Sequence, residues 1–290
     1  MSNYSKQKRA KIDRCNICGA KTTLTWDHVP PKACLNSIPV KFNQMMDGMP
    51  KYNAYNESSQ NGIKFRSICS TCNNTLLGRE YDPDLVEFTA GLLSHIHCAL
   101  DQHLPGVVDV NTIPPYTKTC RVNRIARAVC GHILSAKNEF DGQTIPDRKI
   151  REYFLNPTLS PPEGYRLLFW FYPYSTITIA RDFIAKKVFD PMQLIPEGIS
   201  SVVSSFPLAF LLCDGTYAGM LEDIFAFCDG DIDHEIPLTV DLKTCFLDSG
   251  ELRHPLWPLN VSGDHAGVDM VLTSKHTLGS SVFGIRKLEI

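Results

Sequence analysis

Residues 21–29 (KTTLTWDHV) are rich in threonine and other β-formers, and the pattern predicts a short strand. Pro30 and Pro31 close it, because proline lacks the backbone donor and holds the chain extended, so Val29 is the natural last strand residue. Residues 34–62 scatter apolar side chains among Asn, Gly, Pro and Ser with no period, which predicts an irregular insertion or long loop. Residues 63–68 (IKFRSI) largely alternate and read as a second strand that presents Lys64 and Arg66 on one face. Residues 70–78 then offer Ser70 or Thr71 as a cap, a short helical run and Gly78 as a stop. The predicted order is strand, strand, helix.

Further along, Leu85, Phe88, Leu92, Ile96 and Ala99 recur at helical spacing over residues 84–100, with Asp84 as a cap after Pro83. Residues 118–137 predict a second amphipathic helix. Its apolar stripe is Val122, Ile125, Val129 and Ile133, and its basic ridge is Lys118, Arg121, Arg124 and Arg127, read mainly as a solvated face. Residues 165–180, aromatic and β-branched, read as two paired strands turning near Pro173; runs at 206–213, 236–242 and 281–285 suggest more strands. The fold class is α+β. An N-terminal unit over residues 1–82 precedes a larger α+β domain over 83–290, helices first and a mainly antiparallel sheet after.

Composition narrows the classes. At 290 residues and 43% hydrophobic, the chain can bury a core of one large domain or two modest ones. No stretch approaches the roughly 18 consecutive apolar residues of a membrane helix. Residues 1–14 are polar and basic, unlike a secretory signal, so a cytoplasmic protein with reduced thiols is expected despite eleven cysteines. Charge adds an asymmetry: residues 1–80 hold twelve Lys or Arg against five Asp or Glu, whereas 81–290 hold seventeen against twenty-six. A basic segment draws polyanions by displacing their counterions, so the first 80 residues are where nucleic acid would dock.

Two cysteine pairs, Cys15-x-x-Cys18 and Cys69-x-x-Cys72, stand 50 residues apart. Each turn brings two thiolates to one ion, and two turns complete the tetrahedral four-sulfur shell of structural zinc. Cys34, Cys98, Cys120, Cys130, Cys213, Cys228 and Cys245 sit mostly in apolar or helical contexts and read as core. Between the pairs lies Trp26-Asp27-His28-Val29-Pro30-Pro31-Lys32, and Asn73 follows Cys72 directly. His95 and His97 do not share a helix face, and Asp231, Asp233, His234 and His265 make no ligand spacing.

On these motifs the segment from Cys15 to about Asp82, roughly a quarter of the chain, resembles the HNH (ββα-metal) endonucleases, in the zinc branch with four cysteine ligands. The resemblance implies that His28 is the general base and that Asp27 and Asn73 are the protein ligands of a catalytic Mg2+ or Mn2+. Two positions depart from the family pattern. Asn73 stands where many members carry His, and the central Asn has no clean equivalent, Asn61 being the nearest at eight residues before Cys69.

The residue chemistry is consistent with that role. An imidazole with an ordinary pKa near 6.5 can take a proton from water, and hard oxygen donors suit a divalent ion that offsets charge on phosphate. Successive strand residues point to opposite faces, so Asp27 and His28 converge only if the strand ends or twists there. Lys32, Lys64 and Arg66 are candidate phosphate contacts, and Asn74 is a less favoured alternative ligand. The expectation is hydrolysis of DNA, with RNA not set aside, in a setting such as restriction or antiviral defence. A homodimer or a regulatory protein docked through 83–290 is the expected partner; no membrane is involved. The alternative is a non-catalytic, zinc-stapled nucleic-acid-binding or adaptor module.

Overall fold

The computed structural model describes residues 9–37, 39–45, 57–101, 113–137, 139–140, 145–174, 176–183, 198–215, 219, 221–242 and 270–276. It is a mixed helix-and-strand structure whose recorded strand pairs are antiparallel.

The N-terminal cysteines belong to a three-stranded sheet. β1 (Ile12–Arg14) lies beside β2 (Lys21–His28), which pairs on its other edge with β5 (Lys64–Cys69). The β2–β5 register slips between Thr25 and Trp26. Such a bulge re-aims the side chains beyond it. Leu24 and Asp27 are thereby both buried, although they are three residues apart, while Trp26 and His28 stay at the surface. Their cross-strand partners, Arg66 and Lys64, share that open face.

A π-pitched helical segment (Thr71–Tyr81) follows β5 and runs directly into α1 (Asp82–Asp101). Gly78 therefore does not stop the helix. Leu77 and Tyr81, buried on either side of it, outweigh the roughly 1 kcal/mol helix penalty of glycine. Ser70 is itself helical and makes no side-chain cap; its hydroxyl accepts from Asn74 Nδ2 at 2.9 Å. Asp84, inside the continuous helix, pairs with Arg121 at 2.8 Å instead of capping.

The expected insertion contains two strands, β3 (Val40–Met45) and β4 (Glu57–Ser59). Both join an eight-stranded sheet in the order β11-β7-β10-β9-β8-β13-β3-β4, with β7 at Arg166–Phe171, β8 at Thr176–Phe183, β9 at Ser200–Ser205, β10 at Leu208–Cys213, β11 at Glu222–Asp223 and β13 at Met270–His276. β7 and β8 are not neighbours, against the expected pairing across Pro173: the β9–β10 hairpin lies between them. The reason is visible in β10, where every residue is buried. Leu208, Phe210 and Leu212 enter the main core, while Ala209, Leu211 and Cys213 enter a second cluster with Leu168 and Trp170 of β7 and Tyr172 just after it. A run apolar on both faces belongs inside a sheet. The predicted strand at 281–285 lies outside the described residues.

The helix expected over 118–137 divides into β6 (Tyr116–Cys120), which pairs with β12 (Ile236–Val240), and α2 (Val122–Ser135). α2 touches β2, β5, β9, α1 and α3 (Ile145–Leu155), and is buried nearly all round. The expected basic ridge does not form one helix face, because Lys118 lies on β6, and its charges are paired rather than free. Lys118 pairs with Glu87, Arg121 with Asp84, and Arg124 with Asp233, while fully buried Arg127 stacks 4.0 Å from the centre of the Tyr153 ring. One continuous hydrophobic cluster runs from Cys15 to Leu242. No described helix is long and apolar enough to cross a membrane.

Candidate functional site

The first cysteine pair is shaped by a tight turn. Gly19 N–H donates to Cys15 O at 2.9 Å and Cys15 N–H to Ala20 O at 2.9 Å, and the turn needs the positive φ of +73° that Gly19 supplies. The second pair spans the end of β5 and the first turn of the following helix. The four Sγ atoms lie within 4.8 Å of one another, and all four thiols are free of disulfides. Cys18 Sγ and Cys69 Sγ are 3.8 Å apart, matching the edge of a tetrahedron whose corners stand about 2.3 Å from zinc.

The four thiols are electrostatically coupled. A hydrogen bond from Cys72 holds Cys15 down to about 5 against the effect of burial, and the same bond pushes Cys72 up. Burial and the charge on Cys15 raise Cys18 to about 11. Each thiolate makes its neighbours harder to ionise, a repulsion that a cation at the centre would relieve. Among the described residues this is the one group of three or more His, Cys, Asp or Glu ligand atoms within that distance.

His28 ends β2 half-exposed, and its Nε2 lies 3.2 Å from the carbonyl oxygen of Asn61. A carbonyl only accepts, so Nε2 carries the proton and the neutral ring keeps its lone pair on Nδ1. Burial lowers the pKa of His28 below its ordinary value, and the charges of Lys64 and Lys32 push the same way. Two residues beyond Asn61 the chain is braced by Asn36, which is fully buried: its Nδ2 donates to Pro30 O (2.7 Å) and Ile63 O (2.9 Å), and Ile63 N–H donates back to its Oδ1 at 2.7 Å. Gly62, at φ +63°, passes so close to Asn36 that a Cβ there would overlap its backbone.

Asn73 Nδ2 donates to Thr25 Oγ1 at 3.0 Å and to Trp26 O at 2.9 Å. Both amide hydrogens are thus committed, and Oδ1 is left as an acceptor. Asp27 points away from His28 into the molecule and is 4% exposed. Its Oδ2 accepts from Ser135 Oγ at 2.5 Å and lies 3.0 Å from His132 Nδ1, while its Oδ1 takes no hydrogen bond from the described residues. No hydrogen bond joins the side chains of Asp27, His28 and Asn73 to one another.

His132 is the residue that sequence reasoning missed. Its Nε2 lies 2.9 Å from Asp82 Oδ1, so a buried imidazole bridges β2 to the first residue of α1. Burial acts to lower its pKa, but the carboxylates of Asp27 and Asp82 outweigh that and raise it to about 10. The ring is therefore an imidazolium donating from both nitrogens.

Lys32 is exposed near His28. Lys64 Nζ and the Arg66 guanidinium stand 5.6 and 5.5 Å from the centre of the Trp26 ring, and Arg66 Nε also donates to Arg9 O at 2.9 Å. Of the residues set aside earlier, His234 pairs with Asp229 at 2.5 Å and His95 Nε2 lies 2.8 Å from Pro114 O; Cys245 and His265 lie outside the described residues.

Comparison of the chain with protein-family models, with curated proteins and with solved structures finds no match. The functional reading rests on the site's own geometry.

Proposed function

We propose that the protein is a divalent-metal-dependent endonuclease of the HNH type that hydrolyses DNA phosphodiester bonds, with zinc in the cysteine quartet holding the fold. The observation that carries this reading is the clamp on His28. A surface imidazole at the end of a strand, with one nitrogen tied to a carbonyl and a pKa lowered by burial, is a base kept neutral and aimed. It sits on a strand pair and helix start that the cysteines staple together, beside three cations suited to phosphate.

By donor type, Asp27 Oδ1 and Asn73 Oδ1 would hold a catalytic divalent ion, being hard oxygens without hydrogen-bond partners among the described residues; to serve the open face of His28, Asp27 would have to turn outward from its buried position. Mg2+ or Mn2+ bound there would supply positive charge to the phosphate and the departing oxygen. His28 Nδ1 receives the proton of the attacking water. Asn73 holds the end of β2 against the helix through Trp26 O and Thr25 Oγ1, and His132 and Ser135 fix the rotamer of Asp27. Lys32, Lys64 and Arg66 orient the strand.

A specific observation favours a second reading, a zinc-stapled nucleic-acid-binding or adaptor module. Asp27 is almost wholly buried and one of its oxygens is taken by α2, as a purely structural carboxylate would be. A plasmid assay with and without Mg2+ or Mn2+, comparing wild type with His28→Ala, separates the two. The nuclease cuts only with metal and loses cutting in the variant while zinc content is retained. The binding module retards DNA in a gel and never cuts it.

A further inference from the structure

Trp26 has no role in the chemistry above, yet its position is unusual. Burying a large aromatic side chain stabilises a fold by roughly 1.5–3 kcal/mol, and the described aromatics that remain exposed are Trp26, at 36%, and Phe227. Trp170, by contrast, is 3% exposed in the large sheet. Trp26 is held outward by the bulge at Thr25/Trp26, which turns Asp27 inward and leaves Trp26 and His28 on one open face. Lys64 and Arg66, across the strand pair, stand over the ring at 5.6 and 5.5 Å from its centre and cover part of it, while about a third of the residue's surface stays open at 36% exposure. The face thus carries a flat aromatic ring, two cations and, two cross-strand pairs along, the imidazole of His28.

We propose that Trp26 is a stacking platform for an unpaired nucleobase, with Lys64 and Arg66 taking the phosphates on either side of it, so that the preferred substrate is single-stranded or locally opened nucleic acid. Bases inside a duplex stack on one another and offer no free face, whereas an unpaired base adds its π-surface to an exposed indole regardless of sequence, and cations beside the ring track the backbone. This rests on the nuclease reading for its account of why the platform stands beside His28. The binding itself does not depend on cleavage.

The test uses the full-length, zinc-loaded His28→Ala protein, titrated with a short oligo(dT) or with a blunt duplex of equal length while tryptophan fluorescence is recorded. Oligo(dT) is expected to quench the signal. Adding Trp26→Leu should weaken oligo(dT) binding by at least about fivefold and duplex binding by no more than about twofold, while Trp26→Phe retains most of the affinity. Unchanged oligo(dT) affinity in the Trp26→Leu protein, or an equal loss for duplex, overturns the proposal. If that substitution costs the protein its zinc, ultraviolet cross-linking of a 5-iodouracil oligonucleotide to the parent decides: attachment at Trp26 supports the platform, and attachment elsewhere alone rejects it. The two readings fail separately. A protein that binds oligo(dT) through Trp26 but never cuts a plasmid keeps the platform and loses the nuclease; one that cuts with Trp26-independent strand binding does the reverse.

Discussion

At the scale of single residues, the site is governed by how His28 is held. Its ring depends on one carbonyl, that of Asn61, and the chain just beyond that carbonyl depends on Gly62 passing beneath Asn36. Replacing Gly62 by Ala should destabilise the protein by about 1–3 kcal/mol, because the substitution combines an unfavourable positive φ with overlap against buried backbone. Chemical denaturation checks this, and an unchanged midpoint would show that the loop rearranges at no cost. Asp27, His28 and Asn73 could be singled out in the string because the first two lie within the segment that the cysteine pairs bracket and the third directly follows Cys72. Asn36 was not, since nothing in its sequence neighbourhood marks it as the fully buried bridge between Pro30 and Ile63. His132 was invisible for a plainer reason: its partner Asp27 is 105 residues away.

At the scale of elements, two devices fix the N-terminal sheet, and each gives a measurable consequence. The cysteine quartet joins the turn before β2 to the helix after β5. Cys18→Ser should therefore lower zinc from one per chain and reduce the thermal midpoint, while Cys98→Ser, an exposed thiol outside the quartet, leaves both unchanged. Equal zinc in the two variants, measured by atomic absorption, would remove the quartet from the account. The other device is the His132 imidazolium, which ties α2 to β2 and to α1. Its folded pKa of about 10 lies above the 6.5 of the free side chain, so its stabilisation is fully present below pH 6.5 and is lost as pH rises through about 10. Urea midpoints of the zinc-loaded protein without added magnesium should fall across that window. His132→Gln should show a shallower fall, and parallel curves for the two proteins would contradict the assignment. Periodicity recovered β2, β5 and the apolar stripe of α2 well. It failed where burial overrode a local signal, as at Gly78, or where charges recurring every third residue found acidic partners from distant segments.

At the scale of the whole molecule, α2 is the shared element. Its sides meet the cysteine-bearing sheet, the neighbouring helices and the large sheet, and Asn16, from the first cysteine turn, donates to Leu134 O and Lys137 O at its end. β2 is thus backed by a buried helix, which is the rigidity that the proposed base and ligand set would require. That arrangement could not be read from the sequence, because it depends on contacts of α2 with β2, β5 and β9, distant in the chain, that no local pattern encodes. The basic N-terminal segment was legible from counting alone, and the outward set of Trp26, Lys64 and Arg66 gives that charge a place. The most direct test of the central claim is the single-turnover rate at which zinc-loaded protein cleaves DNA under saturating Mg2+, wild type against His28→Ala. The expected result is a fall of at least about 100-fold with zinc content unchanged; equal rates, or no metal-dependent cleavage by the wild type, would contradict it.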